Sequence, residues 1–80
     1  MAFDSSHIEA LNLLLLFDSA SQDHGIKVHS DARPEVVAAC RQLCERGLVT
    51  REDGGYLTDA GIEALGHAEV LAGLLADRPA

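Results

Sequence analysis

The run Leu48-Val49-Thr50-Arg51, Glu52-Asp53-Gly54-Gly55, Tyr56-Leu57-Thr58 constrains the fold of this chain more than any other. Two short β-prone stretches around a glycine-rich turn predict a β-hairpin, with the glycines supplying the positive φ that such turns need. Apolar residues at helical spacing flank it on both sides. Before it, Val36, Ala39, Cys40, Leu43 and Cys44 share one face, with Arg41, Gln42 and Glu45 opposite. Pro34 suits the first turn of that helix, Asp31 or Ser30 is placed to cap it, and Gly47 stands where a left-handed C-cap is wanted. After the hairpin, Thr58 is placed to cap a helix from about Asp59 to Ala76, along which Ile62, Leu65, Ala68, Leu71, Ala72 and Leu75 recur. Gly61, Gly66 and Gly73 each cost that helix roughly 1 kcal/mol against Ala, a cost that close packing on another helix would offset.

Towards the N-terminus, a first helix is expected from about Ser5 to Phe17. Ser6 and Glu9 have the spacing of a capping box, while Asp4 is the alternative cap, with Phe3 stapled onto Ile8. Ile8, Leu11, Leu14 and Leu15 form its stripe, and Leu13, Leu16 and Phe17 widen it beyond what one partner face needs. Residues Asp18 to His24 read as a loop ending at Gly25, Ile26-Lys27-Val28 as a short strand, and residues 77–80 as a tail.

Eighty residues make a single domain, and one this short buries little more than ~60% of its unfolded surface. Self-association is the expected help, since Cys40 and Cys44, four residues apart, are no disulfide framework. No basic residue precedes the apolar run Leu13 to Phe17, which argues against a secretory signal, and the run is too short to span a bilayer. A cytoplasmic protein with reduced thiols is expected.

Leu43-x3-Gly47-Leu48-Val49 followed by Tyr56-Leu57-Thr58-x2-Gly61 resembles the second half of a winged-helix domain of the MarR-like and PadR-like kind, over about thirty residues. The resemblance implies an α+β, mainly helical, winged-helix-like fold: helix, short strand, helix, β-hairpin wing, C-terminal helix. It also implies that the helix ending at Gly47 faces DNA and that the last helix dimerises. The whole chain resembles, in addition, a family of short gammaproteobacterial proteins loosely described as DNA-binding, through Gly25-Ile26-Lys27-Val28-His29, Pro34-Glu35-Val36-Val37-Ala38-Ala39 and Gly54-Gly55-Tyr56-Leu57-Thr58. The chain departs from a full winged helix in one respect: the helix that braces the recognition helix is absent or reduced to a turn.

Charge divides the functional readings. The formal net charge of −7 opposes non-specific attraction to nucleic acid. Along the chain it resolves into −4 over residues 1–23, +2 over 24–51 and −5 over 52–80, so the segment holding the candidate recognition helix is the only positive one. Arg33, Arg41, Gln42 and Arg46 on or beside that helix, with Arg51 on the wing, are the candidate DNA contacts, because arginine and glutamine pair bidentately with guanine and adenine edges. The competing reading is a solvated helix face, and the wing tip Glu52-Asp53 is acidic where phosphates would approach. His24, His29, Cys40 and Cys44 have no finger-like spacing, so the cysteines read as core residues and no metal or other cofactor is expected. Neither a nucleophile-and-base spacing nor a phosphate loop is present, which argues against an enzyme. Two hypotheses follow: a homodimer, paired through the first and last helices, that presents its 34–46 helix to double-stranded DNA; or a protein-interaction module on the same scaffold that binds a protein partner.

Overall fold

The computed structural model describes residues 2–17 and 25–76; the expected loop before Gly25 and the expected tail lie outside them. The described elements run α1 (Ser5–Leu16), β1 (Ile26–Lys27), α2 (Pro34–Glu45), β2 (Val49–Arg51), β3 (Gly54–Leu57) and α3 (Asp59–Leu75). The fold is α+β and mainly helical, and its element order is compatible with a winged-helix-like arrangement. None of the described helices is long and apolar enough to cross a membrane.

Helix α1 starts at Asp4, whose carboxylate accepts the His7 N–H at 3.0 Å, while the Asp4 N–H donates to His7 Nδ1 at 3.1 Å. The Ser6–Glu9 box does not form. Ser6 instead donates its hydroxyl to Asp4 Oδ1 at 2.6 Å, because it stands two residues beyond the residue that starts the helix. Phe3 meets the His7 ring edge-on, with centroids 5.7 Å apart. The buried face of α1 is also rotated from the expected stripe: Leu13, Leu14 and Phe17 enter the core, and Ile8 and Leu15 stay exposed.

Helix α2 is the centre of the molecule. Ala39, Cys40 and Leu43 are buried on one side of it, Val36 and Cys44 flank them, and α1 packs more extensively on α2 than on α3. The expected cap from Asp31 or Ser30 is not made. Arg33 is the N-cap residue and contributes no side-chain bond; its carbonyl accepts from Val36 and Val37 at 2.9 and 3.1 Å, and Pro34 follows with no N–H to satisfy. Between β1 and α2 the chain makes only a turn, closed by the Ala32 N–H on the His29 carbonyl at 3.0 Å. No described helix braces α2 from that side.

The C-terminus of α2 is closed by Gly47 at φ 77°. The Leu48 N–H reaches back to the Leu43 carbonyl at 2.9 Å and the Gly47 N–H to that of Cys44 at 3.0 Å, the paired bonds of a Schellman motif. The chain then enters a three-stranded antiparallel sheet of order β1-β3-β2. Gly54 and Gly55 do not form the turn. They are the first residues of the central strand, where Ile26 pairs with Gly55 and Lys27 with Gly54. A Cβ on Gly54 would collide with the Ile26 carbonyl, so close approach of β1 and a φ of 122° both demand glycine there. The turn itself is Glu52-Asp53, and a bulge shifts the β2–β3 register between Val49 and Arg51.

Thr58 joins the hairpin to both neighbouring helices. Its hydroxyl donates to the Gly47 carbonyl at 2.6 Å and accepts the Gly61 N–H at 3.0 Å, and its own N–H donates to the Leu48 carbonyl at 3.0 Å. Leu65 is fully buried in the core, with Ala68 beside it.

Candidate functional site

The candidate contacts Arg33, Arg41, Gln42, Arg46 and Arg51 fall in three places, because α2 turns them to different sides. Arg33, ahead of the helix, points to α1 and donates from Nη2 to Glu9 Oε2 at 3.2 Å, with Glu35 3.9 Å from Nη1. Two of the nearest acids thus already answer its charge. Gln42 and Arg46 lie on the side of α2 that faces α1 and α3, where they line an apolar groove. Arg41 lies towards the sheet, in a shallow depression with Lys27, His29, Ser30, Glu52 and Asp53.

Arg51, at the end of β2, borders a neighbouring depression with Lys27, Asp53 and Tyr56. Three cations, Lys27, Arg41 and Arg51, therefore surround the Glu52-Asp53 turn. Lys27 was not among the sequence candidates, and the signal that would have found it is its place on β1 beside the hairpin glycines. Among the described residues, Arg41, Arg46 and Arg51 form no ion pair. The outer face of α2 is not basic, however: Arg41 shares it with Glu35, Glu45 and Ala38, all exposed.

The groove is the more apolar feature. It encloses about 300 Å³ between α1, the C-terminal end of α2 and the middle of α3, and Leu11, Leu14, Leu43, Ala64, Ala68 and Leu71 make most of its walls. Its polar members are His7, Gln42, Arg46 and His67, and no aspartate or glutamate lines it, although the chain has thirteen acids. Next to it, α3 continues past its last buried residue, Ala68, into Val70, Leu71, Leu74 and Leu75, which are 62%, 49%, 68% and 81% exposed. Ile8, Leu15 and Leu16 add exposed apolar surface on α1.

Titratable groups of the kind that catalyse or bind metals are few. Burial, then the charge of Asp53 and the neighbouring Cys44, push the Cys40 thiol above its ordinary range, which makes it a poor nucleophile and a poor thiolate ligand. Among the described residues no three of His, Cys, Asp and Glu are placed to hold a metal ion together, and His24 of the sequence set lies outside them. Hydrogen bonds from Ser6 and from the His7 backbone hold the Asp4 carboxyl below its usual value, which is the signature of a helix cap.

The model of a family of unknown function, DUF5669, matches residues 1–76. That description names no activity, so it adds nothing to the DNA-binding expectation drawn from resemblance. No curated protein and no solved structure matches.

Proposed function

The chain belongs to this family of unknown function, and from its own geometry we propose that it is a protein-interaction module on a winged-helix-like scaffold, working through the apolar side built by α1 and α3. The observation that carries this reading is the acid-free apolar groove continuous with an exposed apolar helix end. Exposed apolar surface of this extent, rimmed by polar residues, marks interaction sites. The first partner is a second copy, paired through α1 and α3, since a domain of 80 residues has a small core and gains stability by association.

A second reading, a homodimer that binds double-stranded DNA, is favoured by one observation: Lys27, Arg41 and Arg51 converge on the hairpin turn. It has to contend with Glu52 and Asp53 at that same turn, with Glu35 and Glu45 on the outer face of α2, and with an Arg33 already engaged by Glu9. Among the described residues no helix braces α2, and so none of them supplies the support that inserts a recognition helix into a major groove.

Sedimentation at micromolar concentration, paired with a salt-titrated assay on random duplex DNA, separates the two. The interaction reading expects a dimer and no DNA binding at low salt. Binding that weakens steeply with salt, and that disappears in the Lys27→Ala, Arg41→Ala, Arg51→Ala triple variant, establishes the DNA reading instead.

A further inference from the structure

We infer that the groove of one copy is the seat for the C-terminal end of α3 of the other, with the exchange made reciprocally about a two-fold axis. The inference rests on the dimer reading above and specifies its contact. Three observations point to it. First, α3 runs about 10 Å past its last buried residue, and residues 70–76 of this extension carry no charge. It leaves Val70, Leu71, Leu74 and Leu75 as an apolar stripe in water, which gains by lying on a surface. Second, the groove at its base is apolar along its walls and, at about 300 Å³, open to a few aliphatic side chains. Leu71 belongs both to the groove wall and to the exposed end, so the two surfaces are adjacent on one chain, and a two-fold axis between them makes both contacts at once.

Charge is the third observation. The C-terminal end of a helix is its negative end, and α3 has no basic residue in its last turn. The groove supplies what is missing: Arg46, in a lining without a single acid. In a chain of net charge −7, an acid-free surface is where the negative end of a second copy meets least repulsion.

Complementation tests the arrangement. Leu74→Asp/Leu75→Asp alters the helix end alone, and Ala64→Trp fills the groove alone; circular dichroism confirms that each is folded. Each variant by itself is expected to raise the dimer dissociation constant at least ~30-fold, because both seats of the dimer are lost. An equal mixture is expected to recover heterodimers by sedimentation equilibrium, since one intact groove and one intact end remain. If Ala64→Trp does not fold, Arg46→Glu, exposed and outside the core, replaces it with an expected loss of ~10-fold. Dimers unaffected by either variant, or a mixture that stays monomeric, overturn the seating while the dimer reading stands. A wild-type chain that is monomeric at 100 µM, taken as about the upper limit of the assay, removes both.

Discussion

Gly54, Gly61 and Gly66 look alike in the sequence, and the structure gives them opposite values. Added Cβ atoms would strike the Ile26 carbonyl at Gly54 and the Leu48 carbonyl at Gly61, both backbone atoms that have little room to yield. At Gly66 a Cβ meets nothing within 4 Å. Gly54→Ala and Gly61→Ala are therefore expected to lower stability by ~2 kcal/mol or more. Gly66→Ala is expected to raise it by about 0.5–1 kcal/mol, the ordinary helix-propensity gain. Urea denaturation of the three variants checks both signs. The expectation that close packing on another helix offsets the three helical glycines is not met within one chain: Gly61 is pressed on the Leu48 backbone just before β2, and Gly66 and Gly73 have nothing within 4 Å. The two cysteines divide in a similar way. Cys40 is almost fully buried and its thiol is pushed up, whereas Cys44 is half-buried. An aromatic disulfide reagent is expected to modify Cys44 in the native protein and Cys40 only on unfolding, at a rate set by the opening equilibrium.

At the level of elements, the first turn of α1 predicts a pH dependence. The Asp4 carboxyl is held below its ordinary value in the folded chain by hydrogen bonds from Ser6 and from the His7 backbone. Its contribution is therefore present in full above the unfolded pKa and is lost as the pH falls through the folded one. A thermal-melt series from about pH 5 to pH 3 is expected to fall more steeply for the wild type than for Asp4→Asn, which keeps a cap without the charge. Helix limits were legible because strong local signals marked them: Pro34 at the start of α2, Gly47 at its end and Thr58 before α3 all act where the spacing put them. The cap of α1 was ambiguous because Asp4 and Ser6 both suit the role, and which of them wins depends on where the backbone begins to wind. That Gly54 and Gly55 belong to a strand and not to the turn was not legible, although their positive φ was. The reason is β1, a strand of two residues whose pairing partner no local pattern specifies.

On the scale of the whole molecule, the charge of the chain is sorted by place as well as by sequence. The positive middle segment does not become a positive face, because α2 sends Arg33 to α1, Arg46 to the groove and Arg41 to the hairpin turn. Sequence shows that these residues are near one another along the chain; only the rotation of the helix separates them in space. The Arg33–Glu9 pair is mostly exposed on the arginine side, so Arg33→Ala is expected to shift stability by less than about 1 kcal/mol, measured by denaturant midpoint. Leu65→Ala, in the fully buried centre where α3 meets the other elements, is expected to cost ~2–5 kcal/mol, enough to unfold much of a domain this small.

The Thr58 hydroxyl, bonded at once to the end of α2 and the first turn of α3, has a mechanical consequence. The hairpin is clamped at its open mouth, so it cannot swing as an independent lever about its base. Displacing its base therefore strains the end of α2 and the start of α3 together.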